Sequence, residues 1–211
     1  MLNKIRDYLD FAGLQYRNPD KAGAEREKML ELRHKGQEAR KAFTELAKAF
    51  QASHPEWQLQ QTSQWMNQAQ RLRPHFWVYL QRDGQVTEPM LALRLYGNPS
   101  DFGISLEVSF IERKKDDRTL DKQTKVLELP TVEGIYYLAY SDGQSQRWEA
   151  TEENRQVLRE KLSHQEVRKV LVKADVPVTA NSSEEEIVEG LLKSYAKILP
   201  YYLATRKLDN P

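Results

Sequence analysis

The pattern of apolar and polar positions divides the chain into a helical start, a stranded middle and a mixed end. Leu2, Ile5 and Leu9 share one helical face and Gly13 follows, which predicts a short helix over 2–12. Asn18-Pro19-Asp20 with Gly23 is a turn signal. Met29, Leu32, Ala39, Phe43, Leu46 and Phe50 then step by three and four, predicting a long helix from about residue 24 to 52. Gly36 lies in the same stripe, where a neighbouring helix can approach closely. Such a stripe either packs on the protein's own core or forms the seam of a homodimer. The glutamine-rich stretch 57–72, with Trp57, Leu59, Trp65, Met66 and Ala69, reads as a second helix ending near Arg73-Pro74.

After Pro74 the period changes to two. Phe76, Val78 and Leu80 alternate with His75, Trp77 and Tyr79, and Asp83-Gly84 is a hairpin signal. Met90–Tyr96 is the next strand, and Gly97-Asn98-Pro99-Ser100-Asp101 the next turn. Phe102, Ile104, Leu106, Val108 and Phe110 face one way and Gly103, Ser105, Glu107 and Ser109 the other, the pattern of a half-buried antiparallel strand. A helix is expected within 114–128 and a strand over 135–140, closed by Ser141-Asp142-Gly143, with 146–150 returning beside it. Thr151 followed by two glutamates opens another helix. Val170, Val172, Ala174 and Val176 alternate into a strand. Asn181-Ser182-Ser183 and three glutamates cap a last helix, which Pro200 should stop, leaving Tyr201-Tyr202-Leu203 to pack back on the body. The order predicts an α+β fold: N-terminal helices, one of them long, packed on a mostly antiparallel sheet, with further helices late in the chain. The 211 residues read as a single domain, with 1–73 a helical subdomain within it.

Composition narrows the classes. Thirty-two Lys+Arg against 31 Asp+Glu leave a net charge of +1, which argues against a wholly basic nucleic-acid binder while allowing a local patch. With no cysteine there is no disulfide framework, thiolate zinc site or cysteine nucleophile, which fits a reducing cytoplasm. No apolar run is long enough for a membrane span, and the first residues lack the apolar core of a signal peptide. The nine glycines form neither a dinucleotide fingerprint nor a phosphate loop, and none of the four histidines has a second at metal-ligand spacing, so neither a cofactor nor a metal is expected.

Two clusters invite chemistry. Asp101 with Glu112-Arg113-Lys114 suggests a metal-dependent nuclease, in which acids hold the metal and a lysine orients the attacking water. At about 3.3 Å per residue an unbroken strand sets Asp101 and Glu112 more than about 30 Å apart. Glu107, the substitute acid, lies on the opposite strand face from Glu112. The denser cluster is Arg71, Arg73, His75, Trp77 and Tyr79, behind Trp65. Cations interleaved with rings bind phosphates and stack on bases, or stack on one another inside a fold. If Phe76 and Val78 face the core, then His75, Trp77 and Tyr79 are either covered by a helix or form a binding surface. Arg94 on the next strand and Glu107 complete the candidate ligand site, with Arg82 a further phosphate contact. The preferred reading is a non-catalytic binding module for nucleic acid. The alternatives are a metal-dependent nuclease using Glu107, Glu112 and Lys114 or another hydrolase, and a homo-oligomeric interaction protein, with a homodimer formed through the long helix.

Arg94-Leu95-Tyr96-Gly97, the run Asp101–Phe110, and Gln64–Asn67 with Arg73–Trp77 resemble uncharacterised conserved proteins of lactic-acid bacteria, a likeness that implies no activity or site residues. A weaker resemblance, in the joining of helices to a small sheet, is to the N-terminal DNA-recognition domains of modification-dependent restriction systems.

Overall fold

A computed structural model describes residues 1–82 and 84–206. Asp83, the first residue of the Asp83-Gly84 hairpin signal, lies outside the described residues. The fold is α+β. The helices are α1 (Leu2–Leu9), α2 (Arg26–Ala52), α3 (Asp117–Thr124), α4 (Glu152–Ser163) and α5 (Glu184–Thr205). The strands are β1 (Gln58–Leu59), β2 (Trp77–Gln81), β3 (Met90–Asn98), β4 (Asp101–Ser109), β5 (Tyr136–Ser141), β6 (Gln144–Glu149) and β7 (Lys169–Val178). They form an antiparallel sheet of order β1-β2-β3-β4-β7-β5-β6. Among the described residues no helix is long and apolar enough to cross a membrane.

The chain divides into two compact units. The first holds Met1–Tyr79, Leu93–Ile104 and Val176–Gly190; the second holds Leu80–Ala92, Ser105–Asp175 and Leu191–Pro211. Residues 1–73 thus lie wholly in the first.

In the first unit the apolar stripe of α2 is turned inward. Phe43 meets Phe76 at 5.9 Å between ring centroids, and Tyr8 of α1 stacks on Phe76 at 5.1 Å. Met29, Leu32, Ala39, Leu46 and Phe50 are all buried, so the stripe offered above as a homodimer seam is consumed within the chain. Gly36 admits the indole of Trp65 rather than another helix; a β-carbon there would collide with that ring.

The helix expected over 57–72 is absent. Trp57, Thr62, Trp65 and Leu72 are buried at irregular spacing, and side chains from elsewhere replace helical hydrogen bonds. Arg40 of α2 donates to the carbonyls of Thr62 and Ser63 at 2.9 and 3.0 Å. The hydroxyl of Tyr8 lies 2.5 Å from the Trp65 carbonyl and 2.8 Å from that of Arg73, sharing one proton between them. With such tertiary donors in place, glutamine-rich helix propensity does not decide the conformation.

In the second unit Leu158 of α4 and Leu191, Ile198, Tyr201 and Tyr202 of α5 are buried. Gln123 of α3 donates to the carbonyls of Val108 and Val170 at 3.1 and 3.0 Å. Tyr201 donates to the Pro130 carbonyl at 2.7 Å. Pro200 does not stop α5, which continues to Thr205. An internal proline costs a helix about 3 kcal/mol. Burial of Tyr201, Tyr202, Ala204 and Thr205 in the turn that follows outweighs that cost.

Candidate functional site

β2 buries its even residues, Val78 and Leu80, and leaves Trp77 and Tyr79 half-exposed on the other face, with His75 just before them. The Leu95 amide donates to the Phe76 carbonyl at 2.9 Å, which brings Arg94 of β3 beside Trp77. The Arg94 guanidinium lies 5.4 Å from the Trp77 ring centroid and that of Arg73 lies 4.8 Å from it. His75 stands 5.6 Å from the same indole. Three of the sequence-predicted residues, Arg73, His75 and Arg94, therefore meet around a fourth, Trp77.

The position of Arg73 is enforced from below. Tyr8 holds its carbonyl, and its own Nε donates to the Met66 carbonyl at 3.2 Å. Burial pushes the Tyr8 phenol well above its ordinary range, so it stays a donor at any physiological pH. β1 and the loop after it fix the outer edge: the Ser63 amide donates to the Trp77 carbonyl at 2.9 Å, and Ser63 Oγ accepts from the Trp77 amide at 3.1 Å.

Arg71 is exposed and donates to the Gly13 carbonyl at 3.2 Å, so it anchors the N-terminal loop. Tyr79 is half-exposed and its carbonyl accepts from the Gln60 amide at 2.8 Å.

No family model, no curated protein and no solved structure matches the chain. Its own side chains are therefore the guide to function.

Glu107 departs from expectation. It lies in the second unit with no exposed surface, because β4 is buried on both faces rather than one. Its carboxylate is 2.7 Å from Lys173 Nζ, itself buried. A carboxylate so enclosed is not a surface contact for a ligand. Glu112 sits in a short 3₁₀ turn and accepts from Lys169 and from Arg168, the latter at 2.6 Å. Burial raises its affinity for a proton, but the bonds from Arg168 and Lys169 outweigh that and hold the carboxyl down to about 2. Lys114 is exposed on the same turn. Each acid is thus engaged by a lysine of β7, and among the described residues no three histidine or carboxylate groups gather as a metal would require.

Sequence reasoning missed this second cluster. Lys169 and Lys173 stand directly opposite Tyr140 and Tyr136 in the β5–β7 register. Lys169 Nζ is 4.2 Å from the Tyr140 ring centroid. Tyr136 donates to Asp175 at 3.0 Å, and Arg147 lies 3.5 Å from the Tyr136 ring centroid. Burial first, then the Asp175 charge, pushes the Tyr136 phenol up. The available signal was Lys169, Leu171, Lys173 and Asp175 alternating with Val170, Val172, Ala174 and Val176.

Proposed function

We propose that the half-exposed face around Trp77 binds nucleic acid and that the protein acts as a non-catalytic binding module in the cytoplasm. The observation that carries this reading is Trp77, half-exposed with two guanidiniums within 5.4 Å of its ring. Its mechanism differs in one respect from the sequence expectation. The indole is stacked by Arg73 and Arg94, so its first role is to hold two planar cations in fixed positions, where they contact phosphates. Rings around it supply stacking surface.

The chain's near-neutral net charge means that attraction has to come from a local patch and not from the molecule as a whole. A face with a few phosphate contacts gives a salt slope of only a few units in log affinity per log salt. The test is titration of a labelled oligonucleotide at low and moderate salt into wild type and Arg94→Ala. Binding that weakens with salt, with a shallower slope in the variant, supports the reading. Identical slopes, or no binding at low salt, overturn it. A homodimer through α2 would require its buried stripe to unpack, and the nuclease arrangement would require Glu107 and Glu112 to leave their lysines, so neither alternative is favoured.

A further inference from the structure

Tyr96 follows Arg94 on the same face of β3 and is half-exposed. Across from it, β4 carries Gly103. A β-carbon at 103 would collide with the phenol end of Tyr96 and with the Val176 carbonyl. The glycine leaves the space that the phenol end of Tyr96 occupies. Gly103 has an ordinary strand conformation, so a close approach, and not backbone freedom, demands glycine here. The Tyr96 side chain is thereby laid over the neighbouring strand instead of standing up from the sheet.

We infer that Tyr96, laid over Gly103, is the platform on which an unpaired base stacks, and that the face selects single-stranded over duplex nucleic acid. This rests on the proposed nucleic-acid reading and adds to it the strand state of the ligand. The division of labour follows from the geometry. The Trp77 ring is occupied by guanidiniums, which serve phosphates. Tyr96, one alternate position along β3 from Arg94 and so about 6.6 Å away, is placed to receive the base attached to a held phosphate. In a duplex the base faces are buried against one another, and only the phosphates remain to be contacted.

The test uses the full chain and three fluorescein-labelled probes of about 12 nucleotides, oligo(dT), oligo(U) and a DNA hairpin closed by a non-nucleotide linker so that it offers no unpaired base, at low salt. With the stacked base lost, Tyr96→Ala should weaken both single strands about tenfold while leaving hairpin binding unchanged. Tyr96→Phe keeps the ring and should keep the affinity. Gly103→Ala should repeat the loss by displacing the phenol; circular dichroism confirms its fold. Hairpin binding equal to that of the single strands overturns this inference and leaves the broader reading standing. So does a Tyr96→Ala variant with wild-type affinity when Arg94→Ala has lost it. Failure of wild type to bind any of the three probes overturns both.

Discussion

Each unit of this protein sets cations against aromatic rings, and the two do so to opposite effect. Around Trp77 the cations are guanidiniums stacked on an indole, and every group is half-exposed. Along β7 the cations are lysines, each faced by a tyrosine and bonded to a glutamate, and both lysines are buried. An ammonium is a strongly hydrated point charge and tolerates burial only with an acid beside it. A guanidinium is planar and weakly hydrated, so it can rest on a ring and keep its edge toward solvent. The same residue classes thus build a core element in one unit and a candidate contact surface in the other. What separates them is exposure and the shape of the cation.

The sharpest way to break the comparison is to remove one member of the buried pair. Lys173→Met leaves the Glu107 carboxylate enclosed without its lysine and should cost about 3–5 kcal/mol in urea unfolding. Combining it with Glu107→Leu removes both charges and should recover most of that loss. A double variant no better than Lys173→Met would mean that Glu107 is not what penalises the single change.

Tyr8→Phe comes next. It strips the donor shared by two carbonyls, that of Trp65 buried and that of Arg73 partly so, and should destabilise by about 1–3 kcal/mol. Because Tyr8 also seats the Arg73 backbone, the variant should lose oligonucleotide affinity under conditions where it remains folded. Gly36→Ala is smaller. Overpacking against Trp65 costs about 1–3 kcal/mol, and alanine returns about 1 kcal/mol of helix propensity, so a net loss of about 1 kcal/mol is expected.

The fold was legible wherever one periodicity ruled a segment: α2, β2, β4 and the capped starts of α4 and α5 stand where the alternation puts them. The Thr151 cap is visible in the sequence because its partner is three residues away: Thr151 Oγ1 accepts from the Asn154 amide at 3.1 Å. Segment 57–72 was not legible, because its backbone is held by Arg40 and Tyr8, donors distant in sequence. The end of α5 was misjudged because packing of Tyr201 and Tyr202 overrides Pro200. At the candidate site, strand alternation identified which residues share the Trp77 face. It could not show that Glu107 is enclosed, since that depends on Lys173, 66 positions away. Nor could it show that Gly103 exists to receive Tyr96, since a glycine in a strand has several uses.

The smallest effect is a pH dependence confined to the second unit. The Glu112 carboxyl is held at about 2 in the folded protein, against about 4.3 when unfolded. The unfolded chain therefore binds the proton more readily, and the contribution is present above about pH 4.3 and lost as pH falls toward 2. Glu112 is 40% exposed, so solvent screening reduces this to about 1 kcal/mol. Glu112→Gln should flatten that part of the stability curve; an unchanged acid limb would contradict the assignment.

The central claim is that the cation–aromatic cluster around Trp77 faces solvent while its counterpart on β7 does not. Iodide quenching of tryptophan fluorescence tests it most directly, because Trp57 and Trp65 are buried and only Trp77 and Trp148 are partly exposed. Iodide is also the charge that two guanidiniums attract. The account predicts that Trp77→Phe removes about half of the quenchable signal, with Trp148 supplying the rest. A quenchable signal unchanged by that substitution would place Trp77 in the core and contradict the account.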